Sequence, residues 1–290
     1  MKLPYIKSVI FIFSLFPCFL FAQTEATTDS SYKKLQPEIV YYTSNGIKLK
    51  AYLYKPEGKG PFPLYVWNHG SEKDPKFDRR QAKFWIDNGF VYFKPIRGGH
   101  ADNPGPYISD LQKANRDSNL SKEEIFKRDI TLHLKANEDT RAAIAWIKKQ
   151  TFIDTTRVAV AGGSYGGIQT LLTAEYDGEN NLGIKCFIAM SPAAMSWNPH
   201  WAKRLQVAVE KSKKPIFLLQ AKNDYNLGPS QTLGAFIDKK GFPSRHKIFP
   251  VHGDVNNPKD GHGEFFGDPA AWQEDILKYL ADCRVISVKK

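Results

Sequence analysis

The sequence predicts an α/β fold: about eight strands in a mostly parallel sheet, an N-terminal antiparallel hairpin, and helices on both faces. Three observations carry this. Short runs such as Val158–Ala161 and Pro215–Gln220 are almost wholly apolar, as strands buried on both faces must be. Segments with apolar residues at helical spacing separate them, and such crossovers leave successive strands parallel. The first two strand-like runs, Glu38–Thr43 and Ile47–Tyr54, instead flank Asn45-Gly46, a two-residue hairpin signal.

The elements follow in order. Residues 1–22 open with Lys2 and Lys7, run apolar from 8 to 22, and end in Leu20-Phe21-Ala22 before Gln23. This is the layout of an export signal cut after Ala22. The run is shorter than the ~20 residues of a membrane span, and Pro17 breaks it. Phe16 and Pro17 before Cys18 depart from a lipoprotein signal. The expected mature protein is periplasmic or secreted, with no stable membrane anchor. Residues 23–37 are a polar, flexible lead-in, and residues 38–290 form one domain.

Leu64–Asn68 is a third strand, Lys76–Asn88 a helix with Phe77, Ala82, Trp85 and Ile86 inward, and Phe90–Lys94 a fourth strand. Residues 101–120 are polar and read as a solvated loop or a flap. Ser121 and Glu124 form a capping box that opens a long helix to Gln150. Val158–Ala161, Lys185–Met190, Pro215–Gln220 and Lys247–Val251 complete the strands. Helices cover about Ser164–Tyr176, Ala202–Glu210, Pro229–Lys239 and Pro269–Ala281. Only Ser191–Lys214 separates the sixth strand from the seventh, which leaves no room for a large cap domain.

Composition narrows the function. At 290 residues, 42% hydrophobic and 24% charged, the chain is neither disordered nor too small for a core. Three cysteines exclude a disulfide scaffold. Beyond residue 22 only Cys186 and Cys283 remain, and two separate buried thiols are expected, with a disulfide as the alternative. The net charge of +11 comes with no basic run longer than three residues and no groove-reading motif, so it reads as a solvated surface rather than a nucleic-acid site.

The chemistry sits at Gly162-x-Ser164-x-Gly166, directly after an apolar strand and before a helix. A turn this tight lifts the serine oxygen above the sheet, and glycines let neighbouring backbone approach. A phosphate loop would want Gly-Lys-Ser/Thr, which is absent. Serine needs a base, and the base an orienting acid. Asp224 is the acid that follows a buried strand by a few residues, where active groups of open α/β sheets gather. His262, between two glycines, is the expected base, with His252 as the alternative. The backbone N–H groups of Tyr165 and Ser71 are the expected oxyanion donors. His69 reads as structural. Arg97, Trp197, Trp201, Phe265 and Phe266 are candidates for lining the substrate pocket. Asp254, Asn257 and Asp260 have a spacing that matches no metal loop, so no metal and no cofactor are expected.

The pattern resembles the α/β-hydrolases related to dienelactone hydrolases and to the catalytic domain of prolyl oligopeptidases, over residues 38–283. The resemblance rests on Tyr54-Lys55-Pro56, Asn68-His69-Gly70, Arg97-Gly98, Ala143–Ile147, Asp154 with Arg157, Gly163–Gly167, Asp224 and Gly261-His262-Gly263. It implies a triad of Ser164, Asp224 and His262. Dienelactone hydrolases carry Cys where Ser164 stands, and prolyl oligopeptidases add a propeller for which this chain has no room. The expectation is an exported serine hydrolase acting on a small-molecule or glycan ester, with a peptidase as the alternative and a non-catalytic binding protein as a remote one.

Overall fold

The computed structural model describes residues 30–286. The expected export signal, and all of the lead-in before residue 30, lie outside the described residues. Eight strands form one sheet in the order β1-β2-β4-β3-β5-β6-β7-β8. β1 (Glu38–Ser44) and β2 (Ile47–Tyr54) pair antiparallel through the Asn45-Gly46 turn, where both residues have positive φ. β2 meets β4 (Val91–Pro95) antiparallel. From there the sheet is parallel: β3 (Phe62–Asn68), β5 (Ile153–Gly163), β6 (Cys186–Met190), β7 (Ile216–Ala221) and β8 (Arg245–Phe249).

The pleat sorts side chains into two cores. Leu64, Val66, Phe187 and Leu218 face α3 (Lys122–Ile147), α4 (Tyr165–Asn180), α5 (Pro199–Lys211) and α6 (Gly228–Lys239). Tyr65, Trp67, Ile188 and Phe217 face α1 (Arg79–Asp87) and α8 (Gln273–Asp282). Each large apolar side chain removed from water contributes about 1.5–3 kcal/mol. The second core is aromatic: Trp85 stacks on Tyr65 at 3.6 Å between ring centres and meets Phe90 edge-on.

Several boundaries differ from the sequence expectation. α1 starts at Arg79 rather than at Lys76, and Phe77 stays ahead of it, packed edge-on against Tyr52. β5 starts five residues earlier than its apolar run. Asp154 accepts from Thr156 N–H and pairs with Arg157 at 2.6 Å, so the polar stretch is satisfied on the strand. β8 sits two residues earlier than expected; as an edge strand it tolerates Arg245 and Lys247, which pair with Asp282 and Asp275 on α8. Residues 101–120 are not a bare loop. They hold α2 (Ile108–Arg116), docked on α3 through Asn115–Asp129 at 2.7 Å and Gln112–His133 at 3.2 Å. Between β6 and β7 lie one short turn and α5. Cys186 and Cys283 are free buried thiols, as expected, and they lie side by side without a disulfide. Among the described residues no helix is long and apolar enough to cross a membrane.

Candidate active site

Ser164 stands where β5 turns into α4. Its φ of 56° and ψ of −119° are strained for a residue with a side chain. The strain is held by packing. Ser164 N–H donates to Met190 O at 2.9 Å, which ties the turn to β6. A Cβ at Gly162 would overlap the backbone of Gly166, and one at Gly166 would overlap Asn68 O, so both glycines are required by space. Tyr165 opens α4, and its N–H has no intrahelical acceptor. The positive end of the helix dipole lies at the same place.

Asp224 lies in the turn after β7 with its side chain fully buried. His262, in the π-turn Asp260–Glu264 after β8, donates from Nδ1 to Asp224 Oδ1 at 2.7 Å. Tyr225 N–H also donates to Oδ1, and Gln220 Nε2 donates to Oδ2 at 2.9 Å. The opposite nitrogen of the ring, His262 Nε2, is buried without a partner among the described residues. An orphaned buried acceptor in a tautomer fixed by a carboxylate is set up to take a proton. The ring packs on Phe266 at 4.7 Å, and a Cβ on Gly163 would strike Phe266, so one phenyl ring joins the histidine to the serine turn. His252 is elsewhere: its Nε2 is 3.8 Å from Asp268, and its backbone N–H donates to Asn223 Oδ1.

A cavity of about 670 Å³ opens over Ser164. Ser71 and Tyr165 border it, with Ser109, Gln112 and Arg116 of α2, Phe126 and His133 of α3, and Met195, His200 and Trp201 around the start of α5. Of the five candidate lining residues only Trp201 borders it. Arg97 is 1% exposed beneath the Tyr165 ring, 4.3 Å from its centre, with its Nη2 held by two backbone carbonyls. Trp197 covers Gly228. Phe265 fills the core against Phe249, and Phe266 is the spacer between His262 and Gly163.

The wall built by α2 and α3 is absent from the sequence reading. Its available signal was the apolar residues of 101–132 that no strand explains. Gln220 was also missed, although a glutamine ending an apolar strand four residues before the acid is a readable mark. Burial and the nearby Arg97 charge push His133 down to about 3 and His100 to about 4. Both rings are therefore neutral around the site. Asp254, Asn257 and Asp260 close on one another: Asp260 accepts from Asp254 N–H and Asn257 Nδ2. No cluster of three metal-ligating acid, His or Cys residues occurs among the described residues.

Residues 121–194, from the α3 cap through Ser164 to the turn after β6, match the model of the prolyl oligopeptidase family. No curated protein matches the chain. Among solved structures, Est1E from Butyrivibrio proteoclasticus with ferulic acid bound aligns with a TM-score of 0.58 and 20% identity, over 83% of this chain and 99% of that one. The acylaminoacyl peptidase of Pyrococcus horikoshii gives a TM-score of 0.61 at 17% identity, over 90% of this chain but 44% of that one. This chain thus spans less than half of that peptidase. A Klebsiella pneumoniae protein assigned as a dienelactone hydrolase gives 0.58 at 15% identity, over 84% and 97%. The chain has the α/β-hydrolase fold, and its segment 121–194 is similar to the prolyl oligopeptidase family; over the whole fold it resembles esterase, dienelactone hydrolase and acylaminoacyl peptidase structures.

Proposed function

We propose that the protein hydrolyses carboxylic esters through an acyl-enzyme on Ser164. The observation that carries this is the buried Asp224–His262 pair at 2.7 Å with its second ring nitrogen unpartnered, at the same end of the sheet as a strained serine. His262 Nε2 takes the Ser164 proton as Oγ attacks the carbonyl carbon. Tyr165 and Ser71 N–H groups receive the oxyanion. His262 then protonates the leaving alcohol, and water, deprotonated by the same nitrogen, releases the acid.

The cavity favours an ester with an aromatic-sized acyl or alcohol group. Phe126, Trp201, Tyr165 and His200 offer ring faces, and Gln112, Arg116 and Lys122 offer donors for polar substituents. The likeness to a ferulic-acid-bound esterase is in keeping with this. Peptide hydrolysis is the second reading, favoured by the family match and the acylaminoacyl peptidase likeness. Against it, Asp129 is the single carboxylate bordering the cavity, too little for a dedicated amine pocket. We further propose that residues 1–22 direct export, so that the enzyme works outside the cytoplasm.

A fluorophosphonate probe should label the wild type and not Ser164→Ala. Aryl and alkyl p-nitrophenyl esters should be turned over with higher kcat/KM than aminoacyl or prolyl p-nitroanilides. Faster turnover of the anilides would favour the peptidase, and an unlabelled wild type with no turnover would refute the serine mechanism.

A further inference from the structure

We infer that the segment 97–107 after β4 is a clamp that aims the Ser71 N–H into the oxyanion hole, with Arg97 as its principal positioning residue. The inference rests on the serine-hydrolase reading above.

The loop after β3 presents five consecutive carbonyls, from residues 69 to 73, and the segment after β4 takes every one of them. Arg97 Nη2 donates to His69 O at 2.9 Å and to Gly70 O at 2.7 Å. The Tyr107 hydroxyl donates to Ser71 O. His100 Nδ1 donates to Glu72 O at 2.9 Å, and Ala101 N–H donates to Lys73 O at 2.7 Å. His69 tightens the grip. Its Nδ1 lies 2.9 Å from Arg97 Nη2 and 2.9 Å from Gly70 O, and its Nε2 lies 3.3 Å from Arg97 N.

The consequence follows from the peptide group. Gly70 C=O and Ser71 N–H belong to one planar unit, which is trans, since the cis bonds among the described residues are Gly60–Pro61 and Phe242–Pro243. In a trans unit the C=O and N–H bonds point in opposite directions. Arg97 drawing Gly70 O inward therefore turns Ser71 N–H outward, toward the cavity that Ser71 shares with Ser164 and Tyr165. The guanidinium also lies against the Tyr165 ring, so one side chain registers both oxyanion donors.

Arg97 earns no other role in the described structure. It is 1% exposed, and its Nε and Nη1 find no acceptor of hydrogen-bond geometry. Glu72 and Asp139 are acids near it, felt only at longer range. A buried cation left so under-satisfied is an expensive way to hold a loop, unless the loop's exact orientation matters.

An aimed amide acts when charge develops on the oxygen, so its loss should appear in kcat rather than KM. The test compares Arg97→Lys and Tyr107→Phe with wild type on a p-nitrophenyl ester, and against a trifluoromethyl ketone, whose oxygen occupies the hole after serine addition. Lys keeps the charge, but its nitrogen ends one bond short of the position of Nη2 and loses the planar stack on Tyr165, and Phe deletes only the exposed clamp donor. Rates are normalised to folded protein by thermal melts. Arg97→Lys should lower kcat by about 10–100-fold and Tyr107→Phe by several-fold, with KM within about 2-fold and the ketone Ki raised by the same factor as kcat falls. Folded variants with wild-type kcat and Ki, or a rise in KM alone, overturn the clamp. Ser164→Ala separates the failures: if it retains full turnover, the serine reading itself is wrong, whereas a dead Ser164→Ala beside an unaffected Arg97→Lys removes only this inference.

Discussion

At the scale of single residues, the proposed triad depends on how Asp224 is held. Two donors fix its carboxylate besides His262: Tyr225 N–H on Oδ1 and Gln220 Nε2 on Oδ2. Gln220 is itself pinned, since its Oε1 accepts from Ser230 N–H at 2.9 Å and its Nε2 also reaches Asn226 O. Replacing the acid by Asp224→Asn should present an amide to His262 Nδ1, select the wrong tautomer and lower kcat by about 10⁴-fold. Gln220→Leu should leave Oδ2 without a donor and lower kcat by roughly 5–30-fold, about 1–2 kcal/mol. Steady-state kinetics on a p-nitrophenyl ester checks both, and unchanged kcat in Asp224→Asn would take Asp224 out of the mechanism. Ser164 and its glycines were legible because a strained strand–helix turn admits few residue types. Asp224 stood out as a candidate from its place after a strand, whereas His262 and His252 both followed the last strand and the sequence left both open. Arg97 was not legible. As a charged residue in a loop at the strand ends it reads as a ligand for substrate, and only the two carbonyls of another loop, His69 O and Gly70 O, reveal what it binds.

At the scale of elements, the stacked aromatics of α1 are the most sensitive packing. Trp85 is fully buried between Tyr65, Phe90 and Trp272. Trp85→Ala should lower unfolding free energy by about 3–5 kcal/mol, from lost transfer energy and the cavity left behind. Denaturant titration measures this, and a loss below ~1 kcal/mol would mean the core collapses around the gap. The strands were readable as apolar runs because burial on both faces leaves one composition to choose. α2 was not readable. Its residues Ile108–Arg116 are mostly polar, and the helix is fixed by side-chain contacts with the next helix, α3, rather than by an apolar stripe of its own. The same distance hides the cavity wall, since α2, α3 and α5 reach it from three separate stretches of sequence.

At the scale of the whole molecule, acid should unfold the protein through its buried histidines. Burial lowers His69 well below the usual histidine range, and it takes His100 to about 4 and His133 to about 3, with the Arg97 charge adding to each. In the unfolded chain these rings protonate near 6.5. Below that pH the unfolded state binds more protons than the folded one, so stability falls as pH drops. Each ring contributes up to about 1.4 kcal/mol per pH unit until its folded value is reached. Melting temperatures measured from pH 7 to 4.5 should fall steadily. His133→Gln, which keeps an amide near Gln112, should flatten the slope, and an unchanged slope would show that His133 protonates freely.

The sequence by itself determined the sheet, the two helical layers and the residue chemistry at the ends of β5, β7 and β8. It could do so because these features are written locally: apolar runs, a hairpin turn, a capping box and a glycine-flanked serine each constrain a few neighbouring positions. Only the tertiary structure decided which side chains meet. It set His262 rather than His252 on Asp224, carried Phe265 and Arg97 into the interior, and built the cavity from α2, α3 and α5. Those outcomes turn on distances between segments tens of residues apart, where closing the chain and filling the core choose the partner and no local pattern records the choice.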